Sequence, residues 1–382
     1  MPKILISCGE PSGDLYAGAL AVEIRRRAPD ASVFGLGGQR LLAGGGELLA
    51  DYRGLSVTGI FEALRVLPRS LAALRRLIDA VRQDRPDVLV AVDFPDFNFR
   101  LASAVRRFGV PVVYYVSPQL WAWRPSRMKV MKRIADRVLV IFPFEEEIYR
   151  HASVPVEFVG HPLIDLVRTQ QPRETFLQEQ GIDPARPVVA LLPGSRPNEV
   201  HRLLPVMSEA ARIVADRLPG VQFVVARAPS LDDRLFSRVR WRGVRPAIVL
   251  ARTDDVLAAA DVAVTASGTA TVQAALHDRP MVVVYKLSPL SYRLFRRFVK
   301  VDTFAMVNLI AGTRVVPELI QDDCTPGAIA SEVLRYLTDP DSVERVRSAL
   351  REVRQRLGDP GASGRAAEAV LRVARGQRGQ TP

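Results

Sequence analysis

Three short stretches carry the residue types that chemistry needs. PGSR (193–196) follows an unbroken apolar run, 188–192, and leads into a helical segment with Glu199 in its first turn. A buried strand, a tight glycine turn and a helix start together make an anion seat, because backbone N–H groups and the positive end of the helix dipole face outward there. Pro193 and Gly194 make the turn, Ser195 is offered after it, and Arg196 adds a fork of donors that matches phosphate oxygens. A second stretch of the same character, ASGTAT (266–271), offers Ser267, Gly268 and Thr269. These two loops read as the holders of a nucleotide diphosphate. The third stretch, DFPDFN (93–98), closes the apolar run that starts at Asp87. Ligands of parallel sheets bind outside the carboxyl ends of the strands, so Asp93 and Asp96 fall where chemistry is expected. Phe94, Pro95 and Phe97 would exclude water and raise a carboxylate toward a useful base. Asp96 or Asn98 suits the cap of the following helix, which leaves Asp93 as the base candidate.

Other residues admit two readings. Trp121 and Trp123 follow the apolar run 110–116 and either stack on a sugar or an apolar groove, or belong to the core. His161 lies in a turn after a strand and serves either structure or the site. No second His or Cys stands at ligand spacing, so no metal site is expected; no cofactor is expected either. The run GLGG (35–38) resembles a dinucleotide fingerprint but carries Arg40 where Gly or Ala is required.

The elements that position these residues follow from periodicity. KILISC (3–8) reads as a buried strand, GEPSGD (9–14) as the loop after it with Ser12 and Asp14, and 15–27 as an amphipathic helix. Strands are expected at 31–38, 87–93, 110–116, 137–145 and 156–162. After a polar linker over 166–187 the alternation repeats, with strands at 187–192, 221–226, 246–250, 261–265 and 280–285 and helices at 199–217, 253–259 and 270–277. Helices over 343–357 and 365–375 end the chain. The expected class is α/β: two Rossmann-like parallel-sheet domains, 1–166 and 167–340, facing a shared cleft, with 341–382 packing back across them and ending in a basic tail. The 382 residues supply two cores.

The net charge of +12, from 53 Lys+Arg against 41 Asp+Glu, favours anionic partners. No helix-turn-helix, RRM or zinc signature is present, so nucleic acid is not expected. Two cysteines exclude a disulfide framework. No leader and no spanning segment are expected. Residues 60–83 form a helical stretch, broken near Pro68, in which Phe61, Leu64, Leu67 and Leu71 alternate with Arg65 and Arg69. Its apolar face meets either the sheet or an anionic bilayer. Arg296 and Arg297, among Leu294, Phe295, Phe298 and Val299, make a second segment of this kind.

Eight motifs in order, GEPSGD, DFPDFN, SPQLWAW (117–123), GHP (160–162), PGSR with Glu199, SGTAT, NLIAG (308–312) and PELIQ (317–321), resemble the lipid-A-disaccharide synthases over roughly residues 3–330. The resemblance implies a metal-free GT-B glycosyltransferase that joins UDP-2,3-diacylglucosamine to 2,3-diacylglucosamine 1-phosphate (lipid X), peripheral on the cytoplasmic face of the inner membrane. A homodimer is among the partners considered. It further implies Asp93 as the general base, Arg196 facing the diphosphate, Ser267, Gly268 and Thr269 cradling it, and Asn308 in the donor site. Glu318 falls in a matching motif, and acceptor or cleft positions are expected at Ser12, Asp14, Asp96, Asn98, Trp121, Trp123 and His161. The chain departs from the pattern at Gln273, where the family usually places a Glu on the ribose hydroxyls. The base in one domain and the arginine in the other imply domain closure. The rival reading is another GT-B enzyme acting on UDP-GlcNAc, a peptidoglycan transferase or a 2-epimerase.

Overall fold

A computed structural model describes residues 1–55, 60–118, 120, 127–287 and 303–376, with side chains in the helix after residue 59 described from 66 onward. Trp121, Trp123, Arg296 and Arg297, and the side chains of Phe61, Leu64 and Arg65, lie outside the described residues. The chain divides into two units, Met1–Asp165 with Leu357–Pro382, and Leu166–Arg356.

In unit 1 the apolar runs become strands because only an all-parallel sheet covered on both faces can bury such runs completely. The order along the chain is β1 (Lys3–Cys8), α1 (Pro11–Arg27), β2 (Ser32–Gly37), α2 (Gln39–Ala43), β3 (Glu47–Asp51), α3 (Ile60–Asp84), β4 (Val88–Val92), α4 (Pro95–Val105), β5 (Val112–Tyr115), α5 (Met128–Ile134), β6 (Arg137–Val140), α6 (Pro143–His151), β7 (Val156–Phe158) and α7 (Leu163–Leu166). The sheet order is β3-β2-β1-β4-β5-β6-β7, parallel throughout. The chain works outward from β1 and then returns to place β4 at its other side, with Cys8 opposite Val92. The carboxyl ends of β1 and β4 are therefore the point where the winding reverses, the natural ligand crevice of such sheets.

Two expectations need correction. An additional strand, β3, lies between the expected strands at 31–38 and 87–93. It was silent in sequence because Glu47–Asp51 is a half-buried edge without alternation. The helix expected to break near Pro68 runs unbroken as α3. Pro68 is on its exposed side, where the ring meets no packed neighbour of the sheet. Ala73, Leu77, Ala80 and Val81 of α3 are buried against the sheet, whereas Leu67 and Leu71 stay 40% and 37% exposed.

Unit 2 repeats the plan: α8 (Arg173–Glu179), β8 (Val188–Leu192), α9 (Pro197–Arg217), β9 (Gln222–Arg227), α10 (Arg234–Ser237), β10 (Ala247–Leu250), α11 (Thr253–Ala259), β11 (Val262–Ala266), α12 (Thr269–Leu276), β12 (Met281–Tyr285), α13 (Met306–Ala311), β13 (Glu318–Ile320), α14 (Pro326–Thr338) and α15 (Pro340–Arg356). Its parallel sheet has the order β10-β9-β8-β11-β12-β13, so the winding reverses between β8 and β11. The last helix, α16 (Ala362–Ala374), belongs to unit 1 and packs on α1. Arg27 donates to Glu368 at 3.1 Å, Arg365 to the Val159 carbonyl at 2.8 Å, and Arg372 to Glu157 at 2.9 Å. Ala366, Ala367 and Val370 are fully buried beneath these contacts.

Candidate active site

The two loops of unit 2 sit at the carboxyl ends of adjacent strands. After β8 the chain turns through Gly194, whose φ of 113° is open to glycine, and enters α9 at Pro197. Glu199, in the first turn of α9, folds back onto the turn. Its Oε2 accepts from the Ser195 N–H at 3.1 Å and the Arg196 N–H at 3.3 Å, and its Oε1 accepts from Arg196 Nη1 at 2.8 Å. The N–H groups expected to face an anion here are thus held by an internal carboxylate, and Arg196 is held with them.

The turn after β11 is different. Gly268 precedes α12 with φ 144° and no side chain caps the helix. Among the described residues, a Cβ placed on Gly268 would meet no atom within 4 Å. The Gly268 carbonyl is fixed by Thr271, which donates to it from N at 3.0 Å and from Oγ1 at 2.8 Å. Ser267 donates its hydroxyl to the Phe304 carbonyl at 3.1 Å. That segment is in turn fixed by Glu318, whose carboxylate accepts from Phe304 N at 2.8 Å, Ala305 N at 3.0 Å and Asn308 Nδ2 at 2.7 Å. The Asn308 oxygen accepts from the Val315 and Val316 N–H groups at 2.9 and 3.0 Å. Asn308 and Glu318 are both buried, with these polar atoms directed inward rather than at an open surface. Gln273, expected near a ribose, donates to Asp254 at 3.2 Å, and His277 Nε2 lies at 3.2 Å from the same Asp254 oxygen.

In unit 1, Asp93 follows β4 with φ 45° and Phe94 follows with φ 50°. Two consecutive left-handed residues other than glycine store strain, which the surroundings must hold. Asn98 does this from α4: its Nδ2 donates to Asp93 O at 2.8 Å and to Ser7 O at 3.1 Å, while its Oδ1 accepts from Ser7 Oγ at 2.6 Å. Tyr114 Oη donates to the same Asp93 carbonyl at 2.8 Å. Burial, with the Asp93 carboxylate adding to it, raises Tyr114 well above the usual phenol range, so the hydroxyl stays a donor. The Asp93 side chain is half-buried, and Phe94 stacks on Phe97 at 5.3 Å beside it.

The remaining candidates separate. Neither Asp96 nor Asn98 caps α4, because the residue before the helix is Phe94, itself left-handed. Asp96 is exposed and pairs with Arg127 at 2.7 Å, and Asn98 is spent on the Ser7 and Asp93 backbone. Asp14, expected in the cleft, is buried and accepts from Gly38 N, Arg40 N and Leu41 N at 2.7, 3.0 and 3.1 Å, which fills the start of α2. Ser12 is part-buried in the first turn of α1. His161 is buried between Tyr16 and Phe142, with Nδ1 accepting from Leu163 N at 3.1 Å, and burial pushes its pKa down to about 3. It is a neutral packing residue. Glu199 stood in the quoted motif but its reach back to the turn had no sequence signal, and Asp254 carried none at all.

Residues 4–373 match the family model described as lipid-A-disaccharide synthetase. The chain is 46% identical to the lipid-A-disaccharide synthase of Myxococcus xanthus over 373 residues, covering 97% of both chains. Among solved structures, the fold is similar to a UDP-GlcNAc 2-epimerase from Neisseria meningitidis bound to UDP-GlcNAc, with TM-score 0.69, 13% identity and coverage of 97% of this chain and 100% of that one. It is also similar to CalG4, the calicheamicin glycosyltransferase, with TM-score 0.60, 18% identity and 98% coverage of each. The fold is therefore GT-B.

Proposed function

The chain belongs to the lipid-A-disaccharide synthase family, and from that premise we propose that it joins UDP-2,3-diacylglucosamine to 2,3-diacylglucosamine 1-phosphate with inversion, giving the β-1,6 disaccharide 1-phosphate and UDP. The observation that carries this reading is the similarity along the whole chain to synthases of that name. Asp93 takes the proton of the acceptor 6-hydroxyl as its oxygen attacks the anomeric carbon, and the bond to the UDP oxygen breaks. The negative charge that develops on the diphosphate is met by Arg196 and by the uncapped start of α12. Ser267, Gly268 and Thr269 form the cradle. Asn308 and Glu318 serve it from behind, by fixing the backbone on which Ser267 rests.

Leu67 and Leu71, exposed beside Arg69 on the outer part of α3, favour a contact with an anionic membrane surface. Among the described residues no helix is long and apolar enough to cross a membrane. Binding to anionic vesicles is expected to weaken with salt and with charge reversal at Arg65, Arg69, Arg296 and Arg297. Vesicle binding that ignores both changes would sink the contact.

UDP release by the purified protein tests the reaction. Release from UDP-2,3-diacylglucosamine that requires lipid X is the expected result. Turnover of UDP-GlcNAc alone would instead assign the rival chemistry of a UDP-GlcNAc transferase or 2-epimerase.

A further inference from the structure

We propose that Glu199 is a positioning residue for this reaction: it holds Arg196 in place to meet the leaving diphosphate and closes the N–H groups of its own turn. The inference rests on the reading above. An arginine immediately before a helix sits at the positive end of the helix dipole, where a cation is disfavoured and a carboxylate is favoured. Arg196 stays there because Glu199 meets it at 2.8 Å while accepting from the Ser195 and Arg196 N–H groups with its other oxygen. The pair is part-buried, 28% exposed for the Arg196 side chain and 17% for Glu199, so its geometry is held by packing as well as charge. The turn is shaped to the carboxylate: a Cβ on Gly194 would fall 2.3 Å from Glu199 Oε2 and 2.7 Å from its Cβ.

Tyr285 ends β12, two strands from β8 with β11 between. Burial raises the Tyr285 hydroxyl, the Glu199 carboxylate adds to the rise, and Arg196 and Arg202 oppose it. Tyr285 thus feels both charges of the pair, and a phosphate arriving at the β8 turn finds its N–H groups taken by Glu199.

A double-mutant cycle tests this. Glu199→Ala should lower kcat for the two acylated substrates by roughly 10- to 100-fold, the scale of a misaimed catalytic contact. Glu199→Gln, which keeps an oxygen for the turn but loses the ion pair, should fall between Glu199→Ala and wild type. In an Arg196→Ala background, Glu199→Ala should cost nothing further, because its effect runs through the arginine. UDP affinity, measured by calorimetry without any acylated substrate, should weaken roughly three- to tenfold for Glu199→Ala and again not at all in the Arg196→Ala background. Equal losses in both backgrounds, tracking a fall in melting temperature, would mean that Glu199 only supports the fold and would overturn the proposal. A wild-type protein that binds UDP without turning over the acylated pair would overturn the proposed function instead, and the UDP cycle would still decide the role of Glu199.

Discussion

The two winding reversals of this chain are built alike and finished differently. In unit 1 the turn after β4 is strained and clamped, with Asn98 and Tyr114 holding the Asp93 backbone so that one carboxylate is presented. In unit 2 one turn is filled by its own Glu199, while its neighbour ends in an uncapped helix start with no atom of the described residues within 4 Å of a Cβ on Gly268. In the proposed reaction the first reversal supplies the proton acceptor and the second the charge compensation; what the structure itself distinguishes is which side chains fold back onto the turns.

That division can be broken by experiment. The largest effect is expected from Asp93→Asn, which should lower kcat by roughly 10²- to 10⁴-fold and leave UDP affinity unchanged. Near-normal turnover would remove Asp93 as the base. Next, Gly268→Ala puts a methyl group before α12 and should lower turnover and UDP affinity by about 10²- to 10³-fold, the scale of losing a preorganised oxyanion donor. Its cost to stability is backbone strain alone, about 1–3 kcal/mol. Gly194→Ala sharpens the contrast, because there the methyl group collides with Glu199: strain and overpacking together should cost about 2–4 kcal/mol in a denaturation experiment. If the two glycine variants lose UDP affinity equally, the turns are not functionally distinct.

The smallest effect separates the units by pH. His161 in unit 1 is buried, and its pKa falls from 6.5 to about 3. Between those values the unfolded chain takes up a proton that the folded one refuses. Its contribution is therefore fully present above pH 6.5 and is lost as pH falls toward 3. Melting temperatures followed from pH 7 downward should drop less steeply for His161→Gln, which removes the titrating group. Parallel curves for the two proteins would show that His161 is not a source of acid sensitivity.

The frame was legible in sequence because fully buried parallel strands leave apolar runs, as at Val88–Val92 and Val188–Leu192. Edge strand β3 was not, because half-buried residues leave no such run. The turns were legible as turns: Asp93 and Gly194 were singled out from residue type and place, and Gly268 through the family resemblance. What sequence could not give was where each polar side chain spends its hydrogen bonds. Asp14 fills the start of α2, Asn98 braces Asp93 and Glu318 braces Asn308, and these choices depend on contacts between residues distant in sequence. Glu199 is the instructive case: its place three residues after Arg196 was plain, yet its return to the turn is set by the conformation of Gly194.

The return of α16 to unit 1 also bears on how the polypeptide is made. Unit 2 is a single continuous segment, whereas unit 1 is interrupted by it and completed by the last helix. On a ribosome, domains form as their segments emerge. Unit 2 can reach its final state while the partner helix of α1 is still inside the exit tunnel, so α1 waits through the synthesis of all of residues 28–361 with its α16-facing side uncovered. The later-made unit is thereby the first to be finished, and a premature stop after α15 would release a chain whose unit 2 is whole and whose unit 1 lacks the helix that covers α1.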